Sequence, residues 1–398
     1  MGLTTVSENV YWVGAVDWNI RWFHGYTYYT RRGTTYNAYL IRDEKVALVD
    51  TVYIPFAGEL LDSIRKVVSL SDLDYLVINH IELDHAGSLA EVLKAAPQAR
   101  VYCSPKAAEG LRKYFPECRE LNLVKTGDSL SLGRYSLRFI EAPMLHWPDS
   151  MFTYLEEQEM LLPNDAFGQH LASTARFDDQ VDGAILMDEA ARYYANILWP
   201  FSSLVLKKMA ELEQMAIPVK IIAPSHGVIW RGNPGAILDA YRRWASGEAG
   251  PLAVVAYDSM WGSTEKMAHA ILEGLVAGGA EAKLFKIPLS DRNDIIKELL
   301  DARVLLVGSS TVNNGYLPTV AALLDDLVGL RPVNKIGVAF GSYGWGGGAV
   351  KRIEEKLREA RFEVAEPGLG IKGAPAEGEI EACLALGKRV AERISALK

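Results

Sequence analysis

Asn79-His80-Ile81-Glu82-Leu83-Asp84-His85-Ala86-Gly87-Ser88 is the stretch on which the reading of the whole chain turns. It follows an apolar run, Tyr75-Leu76-Val77-Ile78, whose pattern predicts a buried strand. Four metal-ligating side chains, His80, Glu82, Asp84 and His85, fall within six residues. A strand fixes the direction from which such a cluster enters, and Gly87 lets the backbone turn tightly behind it. The stretch reads as the first half of a two-metal site.

Three later segments repeat the arrangement of a ligand just after a strand. They are Glu141-Ala142-Pro143-Met144-Leu145-His146, Leu162-Pro163-Asn164-Asp165, and Ala223-Pro224-Ser225-His226-Gly227. Together they give His80, Glu82, Asp84, His85, His146, Asp165 and His226. Seven donors suit two metals sharing one carboxylate, and Asp165, which falls between two mononuclear-looking sets, is the bridging candidate. Carboxylate-rich N/O donor sets with open positions suit iron, whereas a zinc hydrolase favours more imidazole. Glu82 thus points to a non-haem di-iron centre, with manganese as the alternative. For His24, His170 and His269 the ordinary reading, a hydrogen-bonded histidine, is preferred, although His24 and His170 also suit the wall of the site.

The bulk numbers set the frame. A chain of 398 residues suggests two domains, with room for a third. Its net charge of −8 argues against nucleic acid or an anionic membrane as the main partner. No apolar run reaches the ~20 residues of a bilayer span, and residues 1–10 lack the basic start and apolar core of a secretory signal. Cys103, Cys118 and Cys383 lack metal-type spacing and read as reduced thiols, so a cytoplasmic protein is expected.

Up to about residue 223 the pattern mixes short strands with helices. Strands are expected at 11–16, 35–41, 46–50, 101–103 and 219–223, and helices at 56–68, 89–96, 107–114 and 188–215, in a layered α/β/β/α body. Small residues with Gly and Pro, Ala245-Ser246-Gly247-Glu248-Ala249-Gly250-Pro251, mark a boundary, giving domains 1–250 and 251–398. Beyond it, five strands alternate with helices, the pattern of an open, doubly wound parallel sheet.

Three loops at strand ends in this second half suit a flavin. Ser259-Met260-Trp261-Gly262-Ser263-Thr264 puts hydroxyls and a Gly between a strand and a helix N-terminus, which is a phosphate cradle. Thr311-Val312-Asn313-Asn314 and Ser342-Tyr343-Gly344-Trp345-Gly346 supply the other two, with Trp261, Tyr343 and Trp345 available for stacking. A single phosphate loop favours a mononucleotide, FMN.

With these residues in hand, the whole chain resembles the flavodiiron proteins, also called A-type flavoproteins. The first part is similar to the metallo-β-lactamase fold, whose hydrolases carry His-x-His-x-Asp-His; here Glu82 takes the place of the second His. His146, Asp165 and His226 match the later ligands of that branch, in which the counterpart of His85 is either a ligand or turned aside. The second part resembles flavodoxin. The resemblance implies four-electron reduction of O2 to water, or two-electron reduction of NO to nitrous oxide, with FMN supplying a di-iron centre. It also implies a head-to-tail homodimer or a dimer of such dimers. With no Cys-x-x-Cys pair, no fused rubredoxin module is expected, so electrons would come from a separate rubredoxin-type donor. Tyr193 and His24 are candidate hydrogen-bond or proton donors to substrate, or equally ordinary structural residues. Trp147 is a candidate water shield. Two other classes compete: a zinc hydrolase of the glyoxalase-II or lactamase type fused to a flavodoxin-like module, and an electron carrier with a structural metal.

Overall fold

The computed structural model describes residues 3–116, 118 and 120–396, so the outermost ends of the two expected domains lie outside it. The chain forms two compact units. One runs to Tyr193 and takes in Ser203–Tyr241; the other joins Tyr194–Ser202 to the chain from Arg242 onward.

The first unit is built on two sheets. The seven-stranded sheet has the order Thr4–Ser7, Val10–Trp12, Tyr39–Arg42, Val46–Val49, Leu73–Ile78, Arg100–Cys103 and Leu121–Leu123. The five-stranded sheet has the order Ser129–Ser131, Ser136–Glu141, Met151–Leu155, Met160–Leu162 and Ile221–Ile222. Val10, Ile41, Val49 and Val77 of the first pack against Leu137, Phe139, Leu155 and Leu162 of the second in one buried core. Alternation along each strand sends every second side chain into that core. The helices Ala57–Arg65, Leu89–Ala95 and Pro105–Tyr114 bury Leu60, Ile64, Leu89, Val92 and Leu111. This is the layered α/β/β/α body expected.

Several elements differ from the sequence expectation. The strand expected at 11–16 is two strands in different sheets, Val10–Trp12 and Ala15–Asp17. Between them Gly14 lies so close to the Tyr36 carbonyl that a Cβ would meet it at 2.1 Å. The second of these strands pairs with Thr34–Tyr36, which therefore stands apart from Tyr39–Arg42. The helix expected at 188–215 starts earlier, at Gly183, and is interrupted: after Tyr193 comes a π-helical turn, Tyr194–Leu198, then a 3₁₀ turn containing Pro200, and the helix Ser202–Gln214. The break matches proline's missing N–H.

In the second unit the sheet order is Glu281–Lys286, Gly250–Asp258, Ala302–Ser310, Ile336–Tyr343 and Glu363–Val364, with Leu369–Lys372 also pairing Ile336–Tyr343. Every pairing is parallel. Counted along the chain, this is the 2-1-3-4-5 order of the flavodoxin-like doubly wound sheet. The helices Ser263–Ala277 and Glu377–Ala396 approach through glycine: a Cβ on Gly274 would meet the Leu384 carbonyl at 2.1 Å, and one on Gly387 the Ile271 carbonyl at 2.2 Å.

Candidate di-metal and flavin sites

The strand Leu73–Ile78 delivers Asn79 and His80 to its carboxyl end, and the single helical turn Leu83–Ala86 that follows carries Asp84 and His85. His146 and His226 come from loops, and Asp165 lies just beyond the strand Met160–Leu162. All seven candidate ligands come together in two groups: His80, Glu82, His146 and Asp165, and Asp84, His85 and His226. Within each group the donor atoms lie within 4.8 Å of one another.

Asp165 faces both groups with different oxygens. Its Oδ2 lies 3.5 Å from His146 Nε2 and 3.8 Å from His80 Nε2. Its Oδ1 lies 3.1 Å from His85 Nε2 and 3.5 Å from His226 Nε2. Glu82 Oε2 is 3.3 Å from both His80 Nε2 and His146 Nε2. Asp84 is 3.1 Å from His226 Nε2 through Oδ2 and 3.4 Å from His85 Nε2 through Oδ1. His85 thus points into the cluster.

Neighbouring groups orient the ligands. His80 Nδ1 donates to Asp149 Oδ2 at 2.9 Å, and the same oxygen accepts the Ile81 N–H at 2.9 Å. His226 Nδ1 donates to the Thr35 carbonyl at 2.6 Å. Both rings therefore present Nε2 to the cluster, the usual way a second hydrogen bond fixes a ligating imidazole. Behind them the buried Asp50 accepts from Asn79 N at 2.8 Å, Asn79 Nδ2 at 3.2 Å and Asn164 Nδ2 at 3.1 Å, pinning the residues before His80 and Asp165. Sequence reasoning missed Asp149, Asp50 and Thr35. Asp50, closing a strand in parallel with that of the opening stretch, carried the one readable signal.

The electrostatics follow from burial against pairing. Burial opposes charge on His80, but the Asp149 and Glu82 carboxylates outweigh it and push the imidazole up to about 10. His146 is likewise pushed up to about 10 by Asp165 and Glu82. Burial disfavours ionised Glu82 too, yet hydrogen bonds from His146, His24 and His80 hold it far below the usual carboxylate range. Asp165, fully buried, is held well down by the charges of His85 and His146.

The candidates outside the seven fall into place around them. His24 Nε2 lies 3.1 Å from Glu82 Oε1. It sits in the turn of the hairpin Trp22–Phe23/Tyr28–Tyr29, where Phe23 stacks on His170 at 4.5 Å. His170 binds Thr34 Oγ1 through Nδ1 at 2.8 Å and belongs to neither donor group. Tyr193 donates to Asp165 Oδ1 at 2.9 Å, so its hydroxyl is already committed. Trp147 sets its ring edge-on to His80, centroids 5.0 Å apart.

The donor set fits metal. Asp84 Oδ1, His85 Nε2 and Asp165 Oδ2 are buried without a hydrogen-bond partner, in a pocket of ionised carboxylates and ring nitrogens. Buried polar atoms are nearly always satisfied, and cations at the centre of each group would satisfy these.

In the second unit the three loops share the carboxyl edge of the sheet. Gly262, at φ 84°, turns the first loop into the helix Ser263–Ala277, and its N–H binds Ser259 Oγ at 3.1 Å. Met260 N–H binds Ser310 Oγ, just before the second loop, at 3.2 Å. Thr264 Oγ1 joins Ser310 Oγ at 3.2 Å and Ser342 Oγ at 2.8 Å, so one hydroxyl cluster ties the three loops together. Asn313 and Asn314 take positive φ, 48° and 56°. Gly348 packs so tightly on Asn314 that a Cβ would meet its carbonyl at 2.3 Å. Thr311 turns its hydroxyl to the Gly348 and Ala349 N–H groups at the start of the helix Ala349–Glu359. Trp261 and Trp345 stand 91% and 93% exposed on these loops. Two indoles left in water beside a hydroxyl-lined helix N-terminus fit a planar ring with a phosphate tail.

A carboxylate-rich two-metal cluster on one scaffold, joined to a flavodoxin-type sheet, defines a redox flavometalloprotein and not a hydrolase. Residues 34–227 match the model of the ODP family beta lactamases, and residues 255–387 that of flavodoxin. The chain is 58% identical over 392 residues to a nitric oxide reductase of Moorella thermoacetica, covering 98% of both chains. Among solved structures, rubredoxin oxygen:oxidoreductase from Desulfovibrio gigas superposes with a TM-score of 0.97 at 38% identity, covering 99% of both chains. The flavodiiron protein of Giardia intestinalis gives 0.95 at 36% identity, covering 100% of this chain and 97% of its own. The chain belongs to the flavodiiron protein family and is an oxidoreductase.

Proposed function

We propose that this protein reduces dioxygen to water, nitric oxide to nitrous oxide, or both, at a di-iron centre supplied with electrons through FMN. The observation that carries the reading is the divided carboxylate of Asp165, whose two oxygens face two separate donor groups, one of them containing Glu82.

In this reading His80, Glu82 and His146 would hold one iron, Asp84, His85 and His226 would hold the other, and Asp165 would serve both. Two irons would supply the sites for a diatomic gas and the electrons to reduce it, and FMN would renew those electrons. The chain's own residues do the rest. Asp149 and the Thr35 carbonyl set the ring orientations of His80 and His226. Tyr193 keeps its proton and holds Asp165 by hydrogen bond. His24, at Glu82 Oε1, stands where it can offer a proton beside the first iron. Trp147, edge-on to His80, stands where it would shield that ring from water.

The FMN phosphate is assigned to Ser259–Thr264 and the ring to the loops Thr311–Asn314 and Ser342–Gly346, within domain limits of 1–250 for iron and 251–398 for flavin. A rubredoxin-type donor is supported by the name of the Desulfovibrio gigas relative. The assignment extends to a head-to-tail homodimer, alone or as a dimer of dimers, in the cytoplasm. Among the described residues no helix is long and apolar enough to cross a membrane.

The test is iron and flavin analysis of the pure protein, followed by anaerobic turnover with each gas. Zinc in place of iron, or no bound flavin, overturns the reading. Glu82→His is the sharper probe: it removes a carboxylate ligand, and gas reduction is expected to be lost while FMN stays bound.

A further inference from the structure

The flavin-ring loops carry a feature that the proposed reaction does not use. Three cationic side chains stand around them: Lys351, Arg352 and Lys372. Lys351, in the first turn of the helix Ala349–Glu359, lines a groove of about 400 Å³ together with Thr311, Tyr343 and Gly348. Arg352 reaches over the neighbouring loop, its Nη1 3.0 Å from where a Cβ on Gly315 would lie. Lys372 sits beside Tyr343 in the parallel pairing of their strands, and the next residue, Gly373, donates its N–H to the Tyr343 carbonyl at 2.8 Å.

All three side chains are exposed, and among the described residues none makes an ion pair or a side-chain hydrogen bond. Among the described residues no acid nearby forms an ion pair with them. Glu354 shares the groove, but its carboxylate accepts from Gly368 N at 2.7 Å and pairs with Arg358 at 3.4 Å. Glu355 is the remaining acid on that stretch of helix. Other cations of this unit are paired, Lys356 with Glu359, Arg389 with Glu366 and Arg393 with Glu363. Unpaired cations gathered on one rim of a chain of net charge −8 make a local positive field against a negative background.

We propose that this rim is the docking surface of the electron donor, an acidic carrier protein, steered to the flavin ring by Lys351, Arg352 and Lys372. The proposal rests on the placement of the flavin given above. An acidic carrier is repelled by the net charge of the chain and attracted by this rim, which favours its landing beside the flavin loops. Such steering acts on the association rate and fades once the Debye length shrinks below the spacing of the charges, about 3 Å at 1 M salt against about 10 Å at 0.1 M.

The experiment uses the FMN-loaded full chain and the variant Lys351→Gln/Arg352→Gln/Lys372→Gln. Two reductants are compared by stopped flow: a reduced rubredoxin of net negative charge, and photoreduced deazariboflavin, which is small and needs no docking. Binding of zinc-substituted rubredoxin, which transfers no electron, is titrated in parallel. In the variant, reduction by rubredoxin at low ionic strength is expected to slow by ~10-fold or more, and its salt dependence to flatten. Rubredoxin binding is expected to weaken in step, while FMN content and reduction by deazariboflavin stay unchanged. An unchanged rubredoxin rate and affinity overturns the proposal, as does equal slowing with both reductants. If the unsubstituted protein reduces neither gas, the functional reading fails, and the binding titration still decides the docking surface.

Discussion

Tyr193 donates its phenolic hydrogen to Asp165 Oδ1 at 2.9 Å, while the other oxygen of that carboxylate faces His146 at 3.5 Å. Burial and the Asp165 charge push the Tyr193 hydroxyl well above its ordinary value, so it remains a donor at every working pH. Its action on the metals therefore passes through Asp165. Tyr193→Phe is expected to keep the fold and FMN but to weaken iron binding by ~10-fold, the usual cost of losing a partner behind a ligand. Chelator competition measures this; unchanged iron affinity would make Tyr193 a packing residue.

Asp149 does for His80 what Tyr193 does for Asp165. In Asp149→Asn the charge that favours the Nδ1–H tautomer is gone, and an amide serves Ile81 N–H and His80 less well. Iron affinity is expected to fall about 10- to 100-fold, with iron lost first from the His80 group. Iron titration with spectroscopic resolution of the two sites would show it, and equal loss from both would contradict the assignment.

The opening cluster was legible because its four candidate ligands are neighbours in sequence, and the second unit because parallel strands buried on both faces read as continuous apolar runs. The strand Leu369–Lys372 escaped notice, since its Gly and Lys interrupt the apolar pattern. The helix Pro234–Ser246 was missed as well, and the strand expected at 219–223 is only Ile221–Ile222. What orients the cluster was less visible. Thr35 acts through its backbone carbonyl, which leaves no mark in residue type. Asp149 lies 69 positions from His80, and only the folded chain brings the two together.

Gly227 follows His226 with φ 77°, and a Cβ there would meet Gln169 Oε1 at 1.5 Å. That oxygen cannot swing away freely, because it accepts Val228 N–H at 2.7 Å. Gly227→Ala is expected to cost roughly 3 kcal/mol or more, combining left-handed strain with a clash in a hydrogen-bonded corner. Gly25→Ala is the control: its φ is 71°, with nothing within 4 Å of the added atom. It should cost only about 1 kcal/mol. Thermal melts of the two variants side by side separate strain from crowding; equal shifts would show that crowding at Gly227 is relieved.

Lys335 provides a pH test away from both sites. It is 3% exposed, and its ammonium donates to the Leu300 and Ala302 carbonyls at 3.0 and 2.8 Å. Burial, aided by the charge of Arg303, pulls it from 10.5 down to about 7. Between these values the unfolded chain holds a proton that the folded one has released, so stability rises with pH through this window. The contribution is complete above the unfolded value and is lost as pH falls through the folded one. Lys335→Met removes the titration but keeps the apolar stem. The stability of the natural protein relative to this variant is expected to climb by on the order of 1 kcal/mol per pH unit from about pH 7 upward, and to be flat below. Melting temperatures of both proteins between pH 6 and pH 9.5 test it. Parallel curves would mean that Lys335 keeps its proton in the folded chain, its two carbonyl partners offsetting burial.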